Sequence, residues 1–272
     1  MKCILCKNEA ELIKKDFSGL IYIGVDGKKE DVPTDRFYDI YHCNYCDTRF
    51  VSPCRDIDYE KVYTQTNIYD GLLEFAERIK HDSDPWWILI GRGQQYYVGL
   101  DFIKGKKGLY GFDVGCGYGY FTAAVNGLGH YIKGLEVSDY VIENANRIFG
   151  DGFIKADIRN VKTDVEVDVI FGLEVIEHLS KPLEFMKACK ELVKNGGSIV
   201  LSTPNLDYFR VRKMESGAPM LSMGWVAEMP PVHLALYSKK SMEWLAKELE
   251  MDLRFTDFPG GLEQTIGAIF TK

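Results

Sequence analysis

The chain has 272 residues, of which 46% are hydrophobic and 13% aromatic, and its formal net charge at pH 7 is −7. This length suffices for one full α/β domain with a smaller appendage, and the composition is that of a globular protein. The acidic balance argues against nonspecific nucleic-acid binding, which needs a basic surface. Neither a membrane span nor the apolar core of a secretion signal is evident. We therefore expect a cytoplasmic protein; its oligomeric state is unknown.

Two C-x-x-C pairs stand near the N-terminus, Cys3 with Cys6 and Cys43 with Cys46, and 36 residues separate them. One such turn lets two thiolates reach the same tetrahedral ion, so two turns predict a structural zinc site with four cysteine ligands. Redox-active pairs or plain buried cysteines are the alternatives. Paired spacing in a cytoplasmic chain favours zinc.

Apolar segments between the cysteine pairs predict a small β ribbon over residues 1–55. One segment runs from Phe17 to Val25 and reaches a turn at Asp26-Gly27, and a returning strand covers Phe37–Tyr41. So short a module would take much of its folding energy from the metal. Its role is expected to be a cap on the substrate side or a partner surface.

A helical connector is expected over residues 56–105. Leu72, Phe75 and Ile79 recur at helical spacing after a candidate cap at Asp70, and a second helix is expected around Tyr97–Ile103. The segment 85–90 fits either a short helix or a buried strand.

A glycine-rich segment, Asp113-Val-Gly115-Cys-Gly117-Tyr-Gly119, follows a short apolar run and precedes a helix-competent stretch. Glycines let the backbone turn tightly and approach a ligand. A strand, a glycine loop and a helix N-terminus form the nucleotide-side crevice of a doubly wound sheet. The dinucleotide fingerprint needs a third glycine where Tyr120 stands, which disfavours an NAD-linked oxidoreductase.

Strands and helices then alternate, which predicts a parallel sheet with helices on both faces. The second strand ends at Glu136, 23 residues beyond Asp113, where an acid binds both hydroxyls of a ribose; the alternative is an ordinary surface glutamate. The third strand ends at Asp157. The fourth, from Val167, runs into Glu174-Val-Ile-Glu-His-Leu179. A helix that begins at Pro182 and is closed by Gly196-Gly197, a fifth strand, a helix capped by Ser238 and two strands near 251–257 and 264–271 follow.

These motifs resemble a known family. Asp113 to Gly119 resembles motif I of the class I S-adenosylmethionine (SAM) methyltransferases. The segments Glu174–Leu179, Thr203–Asn205 and Pro230–Ser238 look like the ubiquinone-pathway O-methyltransferase type and relatives in cell-surface sugar biosynthesis, many of which carry an N-terminal four-cysteine ribbon. The resemblance covers residues from about 105 to 272.

The resemblance implies a seven-stranded Rossmann-like α/β sheet over residues 106–272, with an antiparallel last strand and a small zinc ribbon ahead of it. It implies that the connector folds over the cofactor, that Asp157 holds the adenine amino group and that Ile158 covers the ring. The implied SAM-binding residues are Asp113, Gly115, Cys116, Gly117, Glu136, Val137, Asp157, Ile158 and Glu174.

Methyl transfer depends chiefly on positioning, and an alcohol acceptor must also lose a proton. His178 and His233 are the candidate bases; the alternative is that they tie loops together. A sharper hypothesis joins both histidines with Glu174 and Glu177 as ligands of Mg²⁺, Mn²⁺ or Zn²⁺ beside the donor, where a metal would lower the pKa of a hydroxyl. Similar elements bind metal in small-RNA 2′-O-methyltransferases. Alternatively, Glu177 caps a turn and Glu174 approaches the cofactor.

An insertion over residues 206–232 carries four methionines, which suit an adaptable lid over an acceptor or packing on the sheet edge. They are Met214, Met220, Met223 and Met229.

The leading hypothesis is therefore a SAM-dependent methyltransferase of a small molecule, with a sugar hydroxyl as the expected acceptor. The alternatives are metal-assisted methylation of a catechol or quinone precursor or of an RNA 2′-hydroxyl, and a SAM-binding protein without catalysis.

Overall fold

The computed structural model describes residues 1–18, 37–65, 69, 71–82, 84, 86, 89, 91, 93–210, 232–258 and 263–272. Two β-sheets organise this part of the chain: one of seven strands, and one of four strands that contains the cysteine pairs. The predicted α/β class with a seven-stranded sheet and a small N-terminal module is confirmed.

The larger sheet is mostly parallel. Its strands are β4 (Tyr110–Val114), β5 (Tyr131–Glu136), β6 (Phe153–Lys155), β7 (Val167–Leu173), β8 (Val193–Pro204), β10 (Asp252–Phe255) and β11 (Thr265–Thr271). Their order across the sheet is β10-β11-β8-β7-β4-β5-β6. Strands β4 to β8 are mutually parallel, whereas β11 runs antiparallel to both β8 and β10. The antiparallel last strand was expected from the family resemblance.

Helices cover both faces of this sheet, because successive side chains of a strand point to opposite sides. In β7, Val169 and Phe171 pack into one hydrophobic cluster and Ile170 into another. The described helices are α1 (Tyr59–Gln65), α2 (Leu72–Lys80), α3 (Gln94–Ile103), α4 (Tyr120–Gly127), α5 (Asp139–Phe149), α6 (Pro182–Leu192) and α7 (Lys239–Glu248).

Side-chain caps fix the starts of two helices. The hydroxyl of Ser138 accepts the amide N–H of Val141 at the start of α5. Ser238 and Ser241 form a reciprocal capping box at the start of α7, as the sequence predicted for Ser238. These caps satisfy backbone N–H groups that have no partner within the helix.

The small sheet is antiparallel throughout. Its strands are β1 (Glu11–Ser18), β2 (Phe37–Cys43), β3 (Thr48–Ser52) and β9 (Ala235–Leu236), in the order β1-β2-β3-β9. The returning strand predicted over Phe37–Tyr41 is therefore present. The predicted turn at Asp26-Gly27 and the candidate cap Asp70 lie outside the described residues.

One strand of this sheet comes from the far end of the sequence. Phe50 pairs with Ala235, and both belong to a hydrophobic cluster that also contains Cys3, Ile176 and Tyr237. The N-terminal module and the larger domain therefore share a core.

The sequence pattern was wrong about where α6 ends. We expected Gly196-Gly197 to close the helix, but the helix ends at Leu192 and β8 begins at the next residue. Gly196 has φ +77°, and a Cβ at Gly197 would lie 2.9 Å from the carbonyl oxygen of Lys194. The glycines thus serve a tight bend within the strand.

In the expected lid, the structure describes a helical turn over 206–210, where Leu206 and Phe209 pack on Leu236. The four methionines lie outside the described residues. Within the part of the chain that is described, no helix combines the length and apolar character needed to cross a bilayer.

Candidate active site

The glycine loop joins β4 to α4 through three residues in the left-handed region. Gly115, Gly117 and Gly119 have φ angles of +67°, +52° and +80°. A Cβ at Gly115 would lie 2.7 Å from a methyl carbon of Val175, and one at Gly119 would meet the ring of Phe153 at 2.3 Å. A side chain at either position would therefore be both strained and obstructed.

Glu136 closes the side of this loop. Its carboxylate accepts the amide N–H of Val137 at 2.7 Å and that of Gly117 at 3.3 Å. Burial raises its pKa, and the backbone donors oppose that shift. The carboxylate is thus held in one orientation at the wall of a cavity, as a ribose ligand requires.

Three residues of the predicted cofactor set, Asp113, Cys116 and Gly117, do not line this cavity, and the side chains of the first two are buried. Asp113 is 3% exposed, and its Oδ2 accepts a 2.6 Å hydrogen bond from the Thr122 hydroxyl. Burial raises the pKa of Asp113 to about 7. Cys116 is buried against Ala145 and Phe153. Both side chains support the loop in this structure.

Asp157 already has a charged partner. Its carboxylate receives three hydrogen bonds at 2.9 Å from the backbone N–H and Nε of Arg159, and one at 2.5 Å from Nη2 of the same residue. These bonds outweigh burial and lower the pKa of Asp157. An adenine amino group would share an acceptor that is already ion-paired. Sequence reasoning missed Arg159, although its i+2 spacing from the acid was visible.

The connector is fastened to the domain at two points. Oδ1 of Asp56 accepts the amide N–H of Ser180 at 2.7 Å. Oε2 of Glu60 accepts the Ser138 hydroxyl at 2.5 Å and the amide N–H of Tyr140 at 3.3 Å. These carboxylates hold the segment around α1 across the carboxyl ends of the parallel strands.

Three connector tyrosines, Tyr59, Tyr63 and Tyr69, line the site, and Tyr63 contacts the glycine loop. The rings of Tyr63 and Tyr69 stack at 4.6 Å, and the Tyr63 ring meets that of Tyr118 edge-on at 5.7 Å. A Cβ at Gly117 would lie 3.8 Å from the Tyr63 hydroxyl. Tyr59 meets His178 edge-on at 6.0 Å. The family resemblance implied a connector over the cofactor, but these individual tyrosines carried no motif.

A cavity of about 300 Å³ lies between the connector and the strand ends. Of the predicted residues, it is lined by Gly115, Glu136, Val137, Asp157, Ile158, Glu174 and His178. Tyr59, Tyr63, Tyr69 and Arg159 complete much of the remaining wall. The end at Glu136 and the end at His178 thus belong to one continuous space.

At the far end, three of the four predicted metal ligands come together. One potential ligand atom from each of Glu177, His178 and His233 lies within 4.8 Å of the others, and the two imidazole rings are 4.8 Å apart. Glu174 is not in this group. It has φ +55°, and its Oε1 accepts the Ser202 hydroxyl at 2.9 Å.

Glu177 carries a buried oxygen that lacks a hydrogen bond. Its side chain is fully buried; Oε2 accepts the Thr203 hydroxyl at 3.0 Å, but Oε1 has no hydrogen-bond partner among the described residues. Oε1 lies 3.8 Å from Nε2 of His178. Burial and the nearby Glu174 raise the pKa of Glu177 well above its ordinary value, which favours a neutral carboxyl.

His178 is also neutral in this environment. Burial and the neighbouring His233 lower its pKa to about 3, so its contact with Glu177 is not an ion pair. Its Nδ1 lies 2.8 Å from the carbonyl oxygen of Val232. Because a carbonyl only accepts, the ring proton lies on Nδ1 and Nε2 keeps a lone pair. A buried acid and two imidazoles fit a divalent cation of the Mn²⁺ or Zn²⁺ type.

The four predicted zinc ligands also converge. The sulfurs of Cys3 and Cys46 are 3.7 Å apart and those of Cys6 and Cys43 are 3.5 Å apart, and all four lie within 4.8 Å of one another. Tetrahedral zinc with Zn–S bonds of about 2.3 Å would place sulfurs about 3.8 Å apart. The arrangement fits a closed structural site and leaves no open position for chemistry.

Comparison with known proteins is consistent with this architecture. A family model described as "Methyltransferase domain" matches residues 93–253. The ubiquinone biosynthesis O-methyltransferase of Paraburkholderia phytofirmans is 30% identical over 100 residues, which cover 34% of this chain and 43% of that protein. Its counterpart in Aromatoleum aromaticum is 26% identical over 159 residues, covering 52% of this chain and 68% of that protein.

Solved structures share the fold at low sequence identity. The magnesium protoporphyrin IX methyltransferase of Synechocystis PCC 6803 with bound SAH (S-adenosylhomocysteine) has 14% identity and a TM-score of 0.52, over 76% of this chain and 97% of that chain. A plantazolicin methyltransferase in complex with SAH has 16% identity and a TM-score of 0.50, over 74% and 97%.

Proposed function

The chain belongs to the methyltransferase-domain family, and from this premise we propose that it transfers a methyl group from SAM to a hydroxyl oxygen of a small molecule. The observation that carries the proposal is the single cavity that reaches from Glu136 to His178. Donor and acceptor must share one space, because in-line transfer needs the nucleophile within about 3–3.5 Å of the methyl carbon.

The donor is proposed to occupy the end at the glycine loop. Glu136 offers carboxylate oxygens for ribose hydroxyls, Gly115 allows close approach of the backbone, and Tyr63 with Tyr69 covers the opposite side. SAM supplies the methyl group as a sulfonium. What this chain contributes is orientation and the exclusion of water, through the connector held by Asp56 and Glu60.

The acceptor is proposed to approach the end at His178. Without a metal, the lone pair on Nε2 of the neutral ring takes the hydroxyl proton; with a metal, the same lone pair is a ligand and does not act as the base. We further propose that Glu177, His178 and His233 hold Mn²⁺ or Zn²⁺, since Oε1 of Glu177 has no hydrogen-bond partner among the described residues and a cation would supply one. When bound, such an ion lowers the pKa of a hydroxyl. The ribbon thiolates are proposed to hold zinc.

The acceptor class is where the sequence hypothesis needs revision. We expected a sugar hydroxyl, but the named relatives act in ubiquinone biosynthesis, and no described residue of the cavity favours a sugar. We therefore place a catechol-type phenol first and a nucleotide sugar second. The net charge of −7 ranks an RNA 2′-hydroxyl third.

The test is transfer of labelled methyl from SAM to a catechol, a nucleotide sugar and a short RNA, alongside calorimetry with SAH and with NADH. We expect SAH to bind, NADH not to bind, and the catechol to be labelled. SAH binding without labelling of any acceptor would support a binding protein without catalysis. Wild-type turnover that is insensitive to EDTA would contradict the acceptor-side metal, provided that the ribbon zinc is assayed in the same samples.

A further inference from the structure

The cysteine module is linked to the acceptor end of the cavity through the backbone of one residue, Leu234. The amide N–H of Val51 in β3 donates a 3.0 Å hydrogen bond to the carbonyl oxygen of Leu234, and the amide N–H of Leu234 donates a 2.7 Å hydrogen bond to the carbonyl oxygen of Glu177. Leu234 therefore joins the module on one side to a candidate metal ligand on the other.

The same short segment carries the remaining acceptor-side groups. His233 immediately precedes Leu234, and the carbonyl oxygen of Val232 accepts from Nδ1 of His178. Farther along, the buried Tyr237 donates its hydroxyl to the carbonyl oxygen of Ile176 at 3.2 Å. The segment 232–237 is thus the piece of chain that orients both histidines.

Strand β3 provides the sheet edge on which this segment lies. Arg49 pairs with Leu236 and Phe50 with Ala235, in an antiparallel ladder. With only two residues, β9 is far too short to persist by itself, so its conformation depends on the strand that it pairs with.

The second cysteine turn docks directly on the end of this segment. The carbonyl oxygen of Asp47 accepts the hydroxyls of Ser238 at 3.3 Å and Ser241 at 3.0 Å. The Asp47 carboxylate forms a bidentate pair with Arg210, with distances of 2.7 and 2.8 Å. Thr48 completes the contact, because its hydroxyl lies 3.2 Å from both Cys46 Sγ and Ser241 Oγ.

We propose that the metal-bound cysteine module positions the acceptor-side cluster: occupancy of the four thiolates fixes β3, and β3 holds the segment 232–237 so that His178 and His233 face Glu177. Val51 and Leu234 are positioning residues that act through their backbone. The predicted effect on turnover rests on the proposed function. The predicted effect on the conformation of the segment 232–237 does not. The glycine loop and Glu136 lie outside this linkage, so SAM binding should be spared.

The first experiment compares Cys6→Ser with Cys54→Ser. Cys54 is a cysteine of the same region that does not belong to the cluster. In each protein we would measure zinc content, SAH affinity by calorimetry, hydrogen exchange of the peptide covering 232–237, and methyl turnover. Cys6→Ser should lose zinc, exchange faster in that peptide and lose about 10–100-fold in turnover, as is usual when the support of a site is removed. Its SAH affinity should stay within about twofold of wild type, because the glycine loop and Glu136 lie outside the linkage. Cys54→Ser, whose side chain packs beside Val51 and Leu234, should keep zinc content and SAH affinity at the wild-type level.

A second pair of variants leaves all thiolates in place. Val51→Pro removes the N–H that Leu234 accepts and introduces a ring against β9, whereas Val51→Ala loses side-chain packing but keeps the N–H. Val51→Pro should retain zinc and SAH binding yet show fast exchange over 232–237 and low turnover. Val51→Ala should stay near wild type in exchange.

Two results would overturn the proposal. One is a zinc-free Cys6→Ser, or a Val51→Pro, whose exchange over 232–237 equals that of wild type. The other is a parallel loss of SAH binding in Val51→Pro, since the module would then support the whole domain. If wild type binds SAH but methylates no acceptor, the proposed function fails while the exchange comparison still decides this inference.

Discussion

Thr122 donates a 2.6 Å hydrogen bond to Asp113, and neither residue lines the cavity. One hydroxyl donor does not offset the cost of burying a carboxylate, so burial raises the pKa of Asp113 to about 7. The first acid of the motif is therefore a buried acid poised between charged and neutral forms near neutral pH.

This arrangement predicts a pH-dependent effect of Asp113→Asn. In the unfolded chain the carboxyl has a pKa of about 3.9, so with a raised native pKa its contribution to stability is fully present below about pH 4 and is lost as the pH rises through about 7. The free energy of unfolding of the variant, taken relative to that of wild type, should therefore rise from pH 5 to pH 8 by on the order of 2 kcal/mol. Urea denaturation at both pH values, without SAM, measures this.

The exposed Asp151→Asn supplies the control for that measurement, because its side chain is not enclosed. If the free energies of unfolding of Asp113→Asn and wild type differ by the same amount at pH 5 and at pH 8, burial does not raise the pKa of Asp113.

Glu136→Gln should weaken SAH binding by about 10–100-fold, because hydrogen bonds to a charged group are worth about 1.5–3 kcal/mol and an amide offers only one acceptor oxygen. The loss should appear in calorimetry without a matching loss of secondary structure. Glu143→Gln, on an exposed position of α5, is the matched control. Equal affinities for the two variants would remove Glu136 from the donor site.

Glu60→Gln tests the connector as a cover for the cofactor. The variant weakens the contact with the Ser138 hydroxyl and the Tyr140 amide. We expect SAH to dissociate about three to ten times faster, since part of a charged hydrogen bond of about 1.5–3 kcal/mol is lost. Stopped-flow fluorescence of the tyrosine-lined cavity would follow dissociation. Glu74→Gln, in the first turn of α2, should leave the rate unchanged.

Glu177→Gln should stabilise the metal-free protein and abolish its response to Mn²⁺. Without metal, Oε1 of the fully buried carboxyl has no hydrogen-bond partner among the described residues, and an amide nitrogen in its place has a permanent N–H to donate to Nε2 of His178. We expect Tm to rise by about 2–4 °C, corresponding to about 1 kcal/mol. The Tm of wild type should rise on addition of Mn²⁺, and the Tm of the variant should not change.

Differential scanning fluorimetry with and without Mn²⁺ makes this comparison without a chelator, so the ribbon thiolates are not challenged. The exposed Glu166→Gln should behave as wild type. An equal rise in Tm with Mn²⁺ for Glu177→Gln and wild type would count against the acceptor-side metal.

The sequence was most informative where function depends on short-range spacing. The two C-x-x-C turns, the alternating glycines and the acid at Glu136 each lie within a few residues of a strand end, and the α/β fold that they imply is confirmed. The segment Glu174–Leu179 likewise contains two of the three converging groups.

Contacts between distant segments were not predictable from the sequence. Ser202 binds Glu174 across 28 positions, because β7 and β8 end side by side in the folded sheet. Tyr63 reaches the glycine loop from 54 positions before Gly117. No periodicity encodes such pairs. They depend on the packing of elements whose relative placement is set by the whole chain.

The pairing of β3 with β9 also orders events during synthesis. Residues 48–52 leave the ribosome more than 180 residues before Ala235 and Leu236 do. Until then, the edge of β3 has unpaired N–H and C=O groups that invite pairing with another chain. A fragment that ends before β9 would therefore expose this edge permanently. We expect the N-terminal module to aggregate when it is expressed alone or fused to another protein, and the nascent chain to need a chaperone until β9 is made.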